Sequence, residues 1–113
     1  MKVYKGYRDN NGTAHVDVLD LIETGVITSS LNHVVRHSPT GFEWGYHGSG
    51  PSELARCILL DMGYPEQKVD MVYQEFKRWR IAEYDQQQGW ELHADSIKIW
   101  WEAKHYGLGN DAV

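Results

Sequence analysis

Residues 37–51 read His-Ser-Pro-Thr-Gly-Phe-Glu-Trp-Gly-Tyr-His-Gly-Ser-Gly-Pro, and they gather the side chains of this chain best suited to chemistry. His37 and His47 with Glu43 would supply general acid and base groups, with Ser38, Tyr46 and Ser49 as hydroxyls in reach. Nothing in the spacing fixes a nucleophile against a base and an orienting group, so no catalytic residue is assigned. The same three side chains suggest a metal site. Zinc needs three or four converging ligands, however, and the spacing matches no pattern such as His-Glu-x-x-His. Histidines that hydrogen-bond the loop backbone are the simpler account, and no metal or cofactor is expected. His33 and His37 would share a face only in a helix, which Pro39 and the β-branched Val34 and Val35 oppose.

The second chemistry is anion binding. An apolar-periodic stretch begins at Ser52, so Pro51 reads as the first residue of a helix, with Gly48, Ser49 and Gly50 as its shaped entry. A helix N-terminus offers unpaired N–H groups and the positive end of the dipole. Ser49, Ser52 and the backbone would donate to an anion, with Arg36 or Arg56 as countercharge. No Gly-Lys-Ser/Thr ending is present, which excludes a P-loop, and Glu53 opposes an anion if its carboxylate folds back as an intrinsic cap. Gly48 and Gly50 are expected at close approaches that a Cβ would obstruct. If residues 42–46 are extended, Phe42, Trp44 and Tyr46 share one side. Trp44 then enters the core, while Glu43 and His47 form a polar pocket with Ser49.

The chain that must position these groups has 113 residues, 42% hydrophobic and 24% charged, which fits one globular domain over residues 1–113. Eleven basic against 16 acidic residues give a net charge of −5, which disfavours nucleic acid and suits a basic protein partner. Lys77-Arg78-Trp79-Arg80, the one basic cluster, is expected to be a solvent face bridged to Glu75 and Glu83. A single cysteine, Cys57, excludes an internal disulfide and reads as a small buried thiol. No apolar run approaches a membrane span and no signal-peptide core follows Lys2, so a cytoplasmic protein with no membrane partner is expected.

Residues 2–7 and 15–18 alternate in hydropathy around Asn10-Asn11-Gly12, which predicts a β-hairpin. Residues 19–25 read as a short helical turn ended by Gly25, and residues 26–28 and 31–35 as one or two further strands. Helices are predicted from Ser52 to Gly63, from Pro65 to about Gln86, and from Ser96 to about His105 with Asp95 as cap and residues 107–110 as its stop. Residues 90–92 form a short strand or extended link. The fold class is therefore α+β, a small antiparallel sheet packed against about three C-terminal helices.

Residues 37–51, with Tyr4-Lys5-Gly6 and residues 54–59, resemble a family of small proteins of unassigned activity found in phages, plasmids and bacterial genomes. Its core reads His-Ser-Pro-Thr-Gly-Phe-Glu-Trp-Gly-Tyr-x-Gly-Ser-Gly-Pro, with His47 at the variable place. Weaker similarity extends through Phe76-Lys77 to residues 90–92, while residues 19–31 and Trp100-Trp101 match poorly. The resemblance implies a phage or mobile-element setting, in which small acidic proteins often inhibit host defence, as anti-CRISPR proteins do. The expectation is a non-enzymatic binding module whose surface comprises His37, Glu43, Trp44, Tyr46, His47, Gly48, Ser49, Gly50, Ser52 and Arg56. Its partner would be a host protein, or alternatively a phosphate-bearing nucleotide signal sequestered at the glycine-rich loop. A small hydrolase using His37, Glu43 and His47 is the third reading, and a homo-oligomer is compatible with each.

Overall fold

The computed structural model describes residues 1–106. Strands β1 (Lys2–Arg8) and β2 (Ala14–Ile22) form the hairpin that the alternation predicts, paired from Lys2 opposite Asp20 to Arg8 opposite Ala14. Gly12 closes its turn at φ 79°, donating to the Asp9 carbonyl at 2.9 Å. Residues 19–25 correct the expectation of a helical turn. They complete β2 and reverse into β3 (Gly25–Ser30), with Ile22 opposite Gly25 across a two-residue loop. The period-two run Val16, Val18, Asp20, Ile22 prevails, and Gly25, at φ 145°, serves the reversal rather than a helix end.

Residues 31–35 are not a strand either. Leu31 still donates to the Val16 carbonyl at 2.9 Å, but the chain then leaves the sheet because the N–H groups of Arg36 and His37 are taken by a side chain of the helical layer. Strand β4 (Trp90–His93) is the extended segment before the last helix, and it pairs antiparallel with β1, so the order is β3-β2-β1-β4.

Helix α1 (Ser49–Asp61) starts three residues earlier than expected, with Gly48 as N-cap and Pro51 inside the first turn, where its missing N–H has no intrahelical partner to lose. Helix α2 (Glu66–Trp79) follows Pro65 as expected but ends well before Gln86. Its continuation is a 3-10 turn, Ile81–Glu83, whose Ile81 side chain is buried and whose Ile81 carbonyl accepts the Gly45 N–H at 3.1 Å instead of a helical partner. Helix α3 (Ala94–Tyr106) begins directly after β4, so Asp95 lies within its first turn rather than capping it; the expected stop at residues 107–110 lies outside the described residues. The class is α+β, as predicted.

The core lies between the sheet face carrying Tyr4, Val16, Val18 and Leu92 and the helices, with Leu54, Ile58, Phe76, Ile81 and Ile97 fully buried. Helix α1 is enclosed on all sides: every residue from Gly50 to Leu59 is buried, the charged Glu53 and Arg56 included. Four of the five tryptophans are buried and Trp79 is 37% exposed. Trp90 packs flat against Gly6, stacks on Tyr84 at 4.9 Å and meets Trp44 edge-on at 5.6 Å. A methyl group at Gly6 would fall on the Trp90 indole, which is held on both sides and has nowhere to move. Gly6→Ala should therefore destabilise the protein by about 2 kcal/mol, measurable as a lowered midpoint in thermal or urea unfolding.

Candidate functional site

Glu53 organises the loop. Its carboxylate, with no solvent exposure, accepts the N–H of Arg36 on both oxygens at 3.0 Å and that of His37 at 2.8 Å. The His33 ring nitrogen Nε2 lies 2.7 Å from the second oxygen. Burial alone would raise this carboxyl, but the N–H of His37, the His33 ring and the N–H groups of Arg36 and Ser38 outweigh it and hold Glu53 below the usual carboxylate range. The side chain thus caps no helix. It gathers residues 33–38 into a concave turn around itself.

One helical turn further on, Arg56 is 1% exposed and donates to Asp70 at 2.8 Å and to Glu66 at 2.6 Å, both on α2. Arg36 reaches the same Asp70 at 3.1 Å, and hydrogen bonds from Arg56, with the charge of Arg36 beside it, keep that carboxyl below its ordinary value. His37 Nε2 lies 2.6 Å from the Tyr73 hydroxyl, and the Ser52 hydroxyl donates to Gln74 at 3.2 Å. Cys57, buried between these turns, bonds the backbone of Val34 and has its thiol pushed up by burial.

The second half of the loop is fixed by close packing. Gly45 adopts φ 87°, and a Cβ there would stand 2.6 Å from the backbone of Gln86. Trp44, wholly buried, donates its indole N–H to the Gln88 carbonyl at 3.0 Å. Arg8 lies over the Trp44 ring at 4.6 Å and grips Glu43 with both terminal nitrogens, at 2.7 and 3.3 Å. Gly50 packs on Glu43, where a Cβ would approach the Glu43 Cβ to 2.7 Å, and Gly48 lies under the Tyr46 ring. Both glycines thus occupy the close approaches expected of them; Gly48 itself is extended backbone, at φ −170°. Between the loop and the hairpin turn opens a cleft of about 310 Å³ lined by residues 11–14 and 40–43.

Among the sequence-selected residues, the structure separates those expected to converge. Glu43 turns to Arg8 on β1 and lines the cleft, His37 pairs with Tyr73, and His47 stands exposed with no hydrogen bond among the described residues, so the shared pocket of Glu43 and His47 is not formed. Trp44 enters the core and Phe42 packs against it, but Tyr46 is 39% exposed because the positive φ at Gly45 breaks the extended alternation. Neither Arg36 nor Arg56 stands ready as an anion's countercharge, since both are paired with carboxylates. The basic cluster is a solvent face in part, with Arg78 and Trp79 exposed, but the expected bridges are corrected: Glu75 bridges to Lys104 of α3 at 2.6 Å, and Arg80 lies over Trp79 at 4.3 Å. Among the described residues no three His, Cys, Asp or Glu side chains are grouped so as to hold a metal ion, and no helix is long and apolar enough to cross a membrane.

Sequence reasoning missed Glu53 as the hub, and with it His33, Arg8, Asp70 and Tyr73. One signal was available: Glu53 and Arg56 interrupt an otherwise apolar stretch on the face that carries Leu54 and Cys57, where an unpaired charge is too costly to bury.

The sign of the pH dependence follows from the depressed carboxyl of Glu53. Its stabilisation is complete above the ordinary carboxylate value, about pH 4.3, and is lost as pH falls through the lower folded value. Glu53→Gln should cost about 3 kcal/mol at pH 7, and urea titrations across pH should show the gap to the parent protein closing only in acid. Gly45→Ala combines a left-handed backbone with a backbone collision and should cost about 3 kcal/mol, more than Gly50→Ala at about 1 kcal/mol, in the same assay.

Comparison with curated proteins and with solved structures finds no match for this chain. The family model described as a family of unknown function, DUF6166, matches residues 4–103, which takes in the sheet from Tyr4 onward, the loop and all but the last turn of α3. The chain belongs to this family of unknown function, DUF6166.

Proposed function

We propose that this chain is a non-enzymatic protein-binding module whose recognition surface is the tip of the glycine-rich loop, Tyr46, His47 and Ser49, beside the cleft lined by Glu43. One observation carries the reading: the loop is held from within by Glu53, Trp44 and the close-packed glycines, while Tyr46 is 39% exposed and His47 and Ser49 stand outside the internal network. A pre-ordered loop that presents an aromatic side chain loses little conformational entropy on binding, which is how rigid paratopes gain affinity. A net charge of −5 favours a basic protein surface. A role against a host defence system, in a phage or mobile-element setting, is carried by the resemblance of residues 37–51.

The alternative of a nucleotide sponge keeps one feature, the N-terminus of α1, whose Gly48 cap makes no side-chain bond. It lacks a countercharge, because Arg8, Arg36 and Arg56 are each committed to carboxylates. The three hydrolase candidates His37, Glu43 and His47 face different neighbours, which favours binding over catalysis.

Quantitative affinity capture from a bacterial host, comparing the parent protein with Tyr46→Ala and His47→Ala, tests the reading. His47→Ala should keep its stability within about 0.5 kcal/mol, as exposed positions do, and Tyr46→Ala, whose ring also covers Gly48, should cost about 1 kcal/mol and remain folded. Tyr46→Ala should weaken the captured complex by about 2 kcal/mol, the scale of an aromatic hot spot. Calorimetric titration with mono- and dinucleotides should show no binding; micromolar nucleotide affinity, or capture unchanged in both variants, would replace this reading with another.

A further inference from the structure

Three of the five arginines are gripped by carboxylates of the chain, and the other two stand together at the end of α2 with none among the described residues. Arg78 is exposed and makes no hydrogen bond or ion pair there. Arg80, partly buried, lies over the Trp79 ring at 4.3 Å, its Nε is buried without a partner, and the guanidinium as a whole bonds no other described residue. Lys77 beside them is unpaired too, and burial together with the charge of Arg78 lowers its ammonium below the ordinary lysine value. The acids in reach are turned elsewhere. Glu75, one turn before Arg78 and Trp79, is held by Lys104 of α3 at 2.6 Å, and Glu83, whose N–H donates to the Arg80 carbonyl at 3.2 Å, leaves its own side chain in solvent.

Trp79, between the two arginines, is the one tryptophan of five that the core does not close over. It is 37% exposed, and its ring is held by Phe76 at 5.8 Å and, nearly parallel, by Trp100 at 5.8 Å. A helix C-terminus welcomes cations, which accounts for Lys77 and Arg78. It gives no reason for a half-exposed indole set among them. Tryptophan and arginine are the side chains in which the centres of protein interfaces are rich, because one brings a rigid apolar body and the other a planar fork that meets a carboxylate with two bonds.

We propose that Arg78, Trp79 and Arg80 at the end of α2 form a second recognition surface, built from other residues than the loop tip, which takes an acidic segment of a protein partner with its carboxylates on the two guanidinium groups and its apolar stems on the Trp79 ring. Charge complementarity sets the sign of this occupant, and the extent of the patch sets its class. The unpaired cations are confined to residues 77–80, with Glu75 before them and Glu83 and Asp85 after. A nucleic acid carries a phosphate at every nucleotide and gains its affinity by crossing many cations in a row. A strand laid here would run from three cations into acids. Single-strand binders also stack bases on open rings, whereas Trp79 already carries Arg80 and Trp100. A short segment bearing a few carboxylates matches a patch of this size. The net charge of −5 opposes it only weakly, because charges more than about 8 Å away are largely screened at physiological salt.

Fluorescence anisotropy with labelled hexaglutamate tests the proposal, set against labelled hexalysine and a single-stranded thymidine hexanucleotide, with NMR of the Trp79 indole N–H and the Arg80 Nε–H over the same titration. Saturable binding of hexaglutamate is expected, with both side-chain signals moving, no binding of hexalysine and weaker binding of the hexanucleotide. Arg78→Glu and Arg80→Gln should each weaken the hexaglutamate complex at least about tenfold. The melting midpoint of Arg78→Glu should match that of the parent protein, as expected of an exposed position. Tyr46→Ala should bind hexaglutamate as the parent does, which separates this surface from the loop tip. Should Arg80→Gln not fold, Arg78→Glu and the side-chain signals decide. Hexaglutamate that fails to bind, binding that survives Arg78→Glu or is lost in Tyr46→Ala, side-chain signals indifferent to the peptide, or a hexanucleotide that binds more tightly, which would mean a nucleic-acid surface, each overturns it.

Discussion

A helix enclosed on every side that nonetheless carries two opposite charges is the constraint from which the rest of this structure follows. Glu53 and Arg56 sit one turn apart in α1, with 0% and 1% exposure, and neither has a route to water. A charge buried without partners is far more costly than a few hydrogen bonds can offset, so each must collect a full set. They do so in different directions. Glu53 collects backbone N–H groups and His33 from the loop, and Arg56 collects Asp70 and Glu66 from α2. Arg36 ties the two sets together by reaching Asp70 from the loop that Glu53 holds. Satisfying two charges thereby fixes where a loop without regular structure and a second helix must lie.

The second half of the loop depends on shape more than on charge. Gly45, Gly48 and Gly50 each leave the space of a side chain to a named neighbour: the Gln86 backbone, the Tyr46 ring and Glu43. Gly6 does the same for Trp90 on the sheet. Trp44 is the pivot, since its ring lies under Arg8, meets Trp90 edge-on and bonds Gln88. Through it the loop is locked to β1, to β4 and to the segment after the 3-10 turn. The clustering of glycines with aromatics in residues 37–51 is in this light a packing solution, in which rings are seated on bare backbone.

Much of this was legible in the sequence, and what was not has a common cause. The hairpin, the apolar stripes of α1 and α2, the buried Trp44 and the close approaches at Gly48 and Gly50 follow from local pattern. Residues 19–25 misled because Gly25 serves helix ends and hairpin reversals equally well, and only pairing with β2 decides between them. The α2 terminus misled because Ile81 gives its carbonyl to Gly45, a contact made across 36 positions of chain. Glu53 has the same character. Three residues from a glycine-proline helix entry, a glutamate reads as a cap, and its real partners are defined only once the loop has folded back over α1.

The pairing of the arginines bears most directly on function. A loop rich in glycine at the head of a helix invites an anion, yet Arg8, Arg36 and Arg56 are each neutralised by acids of the chain itself. With them committed, what the loop turns outward is an aromatic ring, an imidazole and a hydroxyl from Tyr46, His47 and Ser49, set on a support that is internally bonded. Such a surface suits contact with another macromolecule, where area and pre-ordering matter more than a point charge. The sequestered charges account for the rigidity, and the residues left over are those we propose for recognition. One stretch of chain can then be a structural keystone facing α1 and a binding surface facing solvent, with Gly45 as the residue at which its direction changes.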